Sequence, residues 1–231
     1  MVQQSLQHTA KTAMEMGKCW LWPIEEILNM IVEIDGEEVL NEARSAGKGV
    51  IILAPHLGNW EVFGYYISEQ NPSTFLYQPS KIEYFDKMIK SARSRGKTFL
   101  APTNRQGVAQ LLKALKKGEQ VGILPDQEPT QEGGEFATFF GVPAFTMTLV
   151  TRLVARTGAR VICGYAERLP KGRGFKLHIK HADPMIYDAD LKVSVEGLNR
   201  TVEDCVKQSV VQYQWEYKRF KRRLDGSRFY Q

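Results

Sequence analysis

His56 and Glu61 stand five residues apart in the string Pro55-His56-Leu57-Gly58-Asn59-Trp60-Glu61, directly after the apolar run 50–54. A carboxylate that holds one imidazole nitrogen fixes the tautomer and raises basicity, leaving the other nitrogen to take a proton from a substrate hydroxyl. The spacing therefore predicts a general base, His56, oriented by Glu61. The plainer reading is a loop histidine beside a first-turn carboxylate stabilised by the helix dipole. A second acidic cluster, Asp126-Gln127-Glu128, follows the apolar run 121–124 and Pro125. If the two runs are neighbouring strands, Asp126 reaches the same sheet edge as a candidate for ordering a basic site residue; otherwise it is a turn aspartate. Gly58 allows a tight turn, and a helix starting near Asn59 would aim free N–H groups toward the pocket.

Other signatures fail on their chemistry. Arg95-Gly96-Lys97-Thr98 imitates the end of a phosphate-binding loop, but Ser91 stands where its first glycine belongs and the segment follows a helix. Gly172-Arg173-Gly174 lacks the third glycine of a dinucleotide fingerprint, with Leu177 in that place. HExxH and GxSxG are absent, and no cluster has metal-ligand spacing, so no metal and no bound cofactor is expected. Cys19, Cys163 and Cys205 are widely spaced and without a CxxC, which points to a reducing compartment; Cys163 and Cys205 sit in apolar patterns and read as core thiols.

The elements that must position these groups are those of an α/β domain with a central, largely parallel or mixed sheet flanked by helices. With 231 residues, 43% hydrophobic and 25% charged, the chain can bury one core without staples. Strands are expected at 50–54, 74–77, 121–124, 161–165 and 175–180, the last with strict alternation. Helices are expected from Trp60, around Tyr84–Ile89, from Val108 to a stop at Gly118, from a cap at Thr146 to Gly158, and through Val195–Val206. Residues 1–35 read as an N-terminal helical segment with a Trp20-Leu21-Trp22 cluster, suited to packing or to a membrane surface, and 36–231 as the main domain. No stretch reaches the roughly 18 apolar residues of a spanning helix. The net charge of +5 favours anionic partners. No motif supports nucleic-acid binding.

Taken together, Ala54-Pro55-His56-Leu57-Gly58-Asn59-Trp60-Glu61, Leu124-Pro125-Asp126-Gln127, Phe139-Phe140-Gly141-Val142-Pro143-Ala144-Phe145-Thr146 and Gln212-Tyr213-Gln214-Trp215-Glu216-Tyr217-Lys218-Arg219-Phe220-Lys221 resemble the lipid A biosynthesis acyltransferase family, within the wider H-x4-acid glycerolipid acyltransferase superfamily. The resemblance implies transfer of a fatty acyl chain from an acyl carrier protein or coenzyme A thioester to a hydroxyl of a phosphorylated glucosamine lipid. His56 and Glu61 would be catalytic, and Arg95, Asp126, Arg105, Asn59 and Gly58 would contact substrate. N–H groups after Gly58 are the expected oxyanion donors, and Phe139–Pro143 are a candidate acyl-channel wall. The implied partners are acyl carrier protein, the phosphorylated acceptor and an anionic membrane. The implied place is the cytoplasmic face of the bacterial inner membrane, held peripherally because the family's usual spanning helix is absent here. Two alternatives are transfer to another glycolipid or glycerolipid, and a shortened, non-catalytic lipid-binding member.

Overall fold

The computed structural model describes residues 1–227 and 229–230. Among these described residues the strands are β1 (Ile31–Asp35), β2 (Val50–Leu53), β3 (Ser73–Tyr77), β4 (Thr98–Pro102), β5 (Gln120–Ile123), β6 (Gly134–Phe139), β7 (Val142–Met147), β8 (Arg160–Arg168) and β9 (Phe175–His181). The α-helices that join them are α1 (Val2–Leu21), α2 (Ile24–Leu28), α3 (Glu37–Ser45), α4 (Trp60–Gln70), α5 (Glu83–Arg93), α6 (Arg105–Lys116), α7 (Leu149–Thr157) and α8 (Leu191–Gln208). Seven strands make one sheet in the order β1-β9-β8-β2-β5-β3-β4, parallel at every pairing except β8 with β9. The expected α/β class with a largely parallel, mixed sheet is what forms.

Burial explains the pattern. Every residue of β2 and β5 is buried, because helices cover both faces of the sheet centre, and such strands read as short apolar runs. Alternate β2 side chains feed two cores. Ile51 and Leu53 pack with Leu111, Leu153 and Leu198 of α6, α7 and α8, whereas Val50 and Ile52 pack with Phe63 and Ile67 of α4, Leu40 of α3 and Cys19 of α1. Cys163 and Cys205 are buried core thiols, as expected.

The structure departs from the sequence reading in several places, among them α3 and β6, where no element is expected. Ile31–Asp35, expected at the end of a helical segment, is a strand on the sheet edge paired with β9. Thr98–Pro102, where no strand was expected, forms the opposite edge. Thr146 does not cap a helix. It lies in β7, fully buried, and α7 begins three residues later after Thr148. The cause is the turn Phe140-Gly141, both with positive φ (49° and 76°), which closes a two-residue hairpin between β6 and β7. Beyond α8 the chain returns as an irregular strap over the sheet edge, bridging Tyr213 to Leu57.

Candidate active site

Strand register builds the site. β2 and β5 are parallel neighbours with Leu53 opposite Ile123, so the residues three further along, His56 and Asp126, leave the same edge side by side. His56 Nδ1 lies 2.8 Å from Asp126 Oδ1, and the His56 main-chain N–H donates to Oδ2, also at 2.8 Å. One carboxylate thus fixes both the ring and the backbone that carries it. Asp126 is only 4% exposed. Burial alone would raise its pKa, yet the charge and hydrogen bonds of His56 bring it below the ordinary carboxylate value. An ionised Asp126 accepts from Nδ1–H, which leaves the Nε2 lone pair as the free basic position. The Trp60 ring meets the imidazole edge-on, with centroids 4.8 Å apart.

Glu61 does not perform the role its spacing suggests. It is the second residue of α4, and its carboxylate is held by Arg93 of α5, whose Nε donates to Oε1 at 3.0 Å and Oε2 at 3.2 Å while Nη2 also donates to Oε1. Burial acts against the Arg93 charge, but the neighbouring Glu61 carboxylate more than offsets it and raises the guanidinium pKa. The imidazole is therefore oriented by Asp126, and Glu61–Arg93 is a separate ion pair.

His56, Glu61 and Arg93 border one cavity of about 910 Å³. Its lining is mostly apolar, with Gln127 against His56 among the polar residues. Phe63, Ile67 and Phe75 contribute from one sheet face, Leu112, Met147 and Leu153 from the other. Gly64 leaves open space there, since nothing lies within 4 Å of where its Cβ would be. This size and lining suit a long apolar ligand whose reactive end stops at His56. Phe139–Pro143 are not among its lining residues: Phe139 is core, and the Phe140 ring lies tilted against Trp215.

Of the remaining expected contacts, Gly58, Asn59 and Arg95 are engaged by the protein itself. Gly58 adopts φ +61°, a Cβ there would fall 2.0 Å from the Ala166 carbonyl oxygen, and its N–H donates to the Gln212 carbonyl at 3.1 Å. Asn59 is the buried cap of α4: its Oδ1 accepts from the Val62 N–H, its Nδ2 donates to Glu15 at 3.0 Å, and its own N–H goes to the Ala166 carbonyl. The N–H groups of Gly58 and Asn59 are therefore occupied. Arg95 donates to the main-chain carbonyls of Cys19, Trp22 and Ala92 and to the Tyr65 hydroxyl, tying α1 to α4 and α5. Arg105 opens α6, exposed and outside the cavity wall.

Two groups beyond the sequence reading brace the site. Glu15 and Thr12 of α1 both bond Arg168, and Thr12 Oγ1 also donates to the Gly58 carbonyl. In the strap, Gln214 N–H donates to the His56 carbonyl, Tyr217 OH accepts from Glu128 N–H, and buried Arg219 donates to Phe145 O and Thr146 Oγ1, each at 2.7 Å. The Trp-Tyr-Arg density of 213–219 was the available signal.

Fold and site define an α/β protein with a carboxylate-oriented imidazole bordering a large, mostly apolar cavity. The family described as bacterial lipid A biosynthesis acyltransferase matches residues 1–222, and the chain belongs to that family. It is 27% identical over 229 residues to the lipid A biosynthesis lauroyltransferase of Escherichia coli (strain K12), covering 98% of this chain and 73% of that protein. The palmitoleoyltransferase of the same organism is 26% identical over 228 residues, with the same coverage. Its myristoyltransferase is 26% identical over 198 residues, 84% of this chain and 60% of the relative.

Proposed function

We propose that this protein transfers a fatty acyl chain from a thioester donor, carried by acyl carrier protein or coenzyme A, to a hydroxyl of a phosphorylated lipid A precursor. Nε2 of His56 removes the hydroxyl proton, the oxygen attacks the thioester carbonyl, the C–S bond breaks, and the imidazolium returns the proton to the leaving sulfur. Asp126 holds the Nδ1–H tautomer and stabilises the imidazolium as it forms. The acyl tail lies in the apolar cavity. The observation that carries this reading is the Asp126-held His56 on the wall of that cavity.

The positive net charge suits an acidic carrier protein, a phosphorylated acceptor and an anionic leaflet. Among the described residues no helix is long and apolar enough to cross a membrane. Peripheral attachment at the cytoplasmic face of the inner membrane would use exposed Leu21 and Trp22, with Lys18 stacked over the Trp22 ring.

The test is incubation of purified protein with acyl carrier protein or coenzyme A thioesters and a phosphorylated lipid A precursor, read by mass spectrometry. The expected product is heavier by one acyl chain, and His56→Ala abolishes it without loss of folding. Full turnover by that variant would remove the general base from the account. Lipid binding without acyl gain by either protein would favour a non-catalytic role.

A further inference from the structure

The lone pair that the proposed base uses is already covered. With Nδ1–H donated to Asp126, Nε2 is an acceptor, and the side-chain amide of Gln127 donates to it at 3.2 Å. Gln127 follows directly on the fixed Asp126, so its main chain is anchored while its side chain is exposed and free to turn. An acceptor hydroxyl must take the amide's place at Nε2. A turn of the displaced amide keeps its N–H groups beside the place where that hydroxyl attacks, within hydrogen-bond reach of a carbonyl oxygen there. Among the nearby main-chain donors, Gly58 and Asn59 give their N–H groups to Gln212 and Ala166.

We propose that Gln127 is a catalytic residue, donating its side-chain amide to the oxyanion that forms on the thioester carbonyl. This rests on the acyl-transfer reading above. The hydroxyl proton goes to His56 Nε2, the new C–O bond forms, and negative charge gathers on the carbonyl oxygen. Gln127 stabilises that charge by hydrogen bonding alone and exchanges no atom. As the C–S bond breaks the carbonyl is restored, and the proton passes from His56 to sulfur. In the resting protein the same amide shields the lone pair, so one side chain alternates between base and oxyanion.

The test compares wild type, Gln127→Ala and Gln127→Glu by three readouts. These are kcat and KM with a dodecanoyl carrier-protein thioester and a phosphorylated lipid A precursor, the titration of the His56 ring by NMR, and binding of dodecylphosphonate. That last probe presents a tetrahedral anion on a fatty tail and needs no turnover. Gln127→Ala is expected to lower kcat by about 10²–10³ while KM changes by less than about threefold. Dodecylphosphonate binds at least about tenfold more weakly. Gln127→Glu, which offers no amide donor, fails to restore either. Retention of kcat within about threefold in Gln127→Ala would overturn the proposal. So would a fall in kcat that tracks a shifted His56 titration with phosphonate binding unchanged, since the loss would then lie in the base. If the wild type transfers no acyl chain while phosphonate binding still depends on Gln127, the acyl-transfer reading fails and the anion contact of Gln127 stands.

Discussion

Replacing Asp126 by Asn separates the carboxylate that orients His56 from the one that merely follows it in sequence. Asp126 gives His56 two acceptors, Oδ1 to the ring and Oδ2 to the main-chain N–H, each at 2.8 Å. Asparagine has one oxygen and one NH₂. The main-chain N–H cannot turn away, so it keeps the oxygen, and the NH₂ then faces Nδ1. That arrangement favours the tautomer with its proton on Nε2, and the lone pair needed at the hydroxyl disappears. Loss of the correct tautomer costs about 10⁴ in kcat, which is about 5 kcal/mol of transition-state stabilisation. Initial rates of acyl transfer under saturating donor and acceptor, beside circular dichroism to establish folding, measure the effect. A folded Asp126→Asn protein that keeps kcat within about tenfold of wild type would refute the reasoning. Glu61→Gln acts differently, because it removes the counter-charge of Arg93 and its effect enters through the cavity wall and thermal stability.

Gly64→Leu fills open cavity space from α4 and should shift acyl preference to shorter chains in a competition among thioesters of graded length; an unchanged preference would place the tail elsewhere. Arg219→Met removes two buried charge-assisted hydrogen bonds and should cost about 2–3 kcal/mol by urea denaturation, with a loss under about 0.5 kcal/mol counting against the strap as an anchor. The His8 pKa is lowered, first by burial and then by Arg168, so the unfolded chain takes up this proton more readily than the native one. Stability is then lost as pH falls through the ordinary histidine value of about 6.5, and His8→Gln should flatten that part of the Tm–pH curve; an equal slope in both proteins would contradict it. The depressed pKa of Asp126 acts in a separate window, its contribution present above about pH 3.8 and lost in stronger acid.

The sheet centre was legible because β2 and β5 are covered on both faces, which forces the unbroken runs 50–54 and 121–124. The edges were not. In β1 only Ile31 and Ile34 escape exposure, and β4 is five residues with a terminal proline, so neither carries a strong period. The hairpin 134–147 was hidden because Phe140 adopts a backbone conformation that its residue type does not announce. The histidine itself was readable from its place after a buried strand, and Asp126 was readable as a candidate for ordering it. The choice between Asp126 and Glu61 was not. It depends on the β2–β5 register and on Arg93, thirty-two residues from Glu61 in sequence, reaching the Glu61 carboxylate from another helix. Arg95 looked equally suited to anions, yet the fold gives its guanidinium to main-chain carbonyls.

The direct measurement is the protonation of the two His56 ring nitrogens by ¹⁵N NMR on histidine-labelled protein, in wild type, Glu61→Gln and Asp126→Asn. The proton resides on Nδ1 in the first two and moves to Nε2 in the third if Asp126 orients the base. A proton on Nε2 in the neutral wild-type ring, or a tautomer that changes with Glu61 and ignores Asp126, would contradict the account.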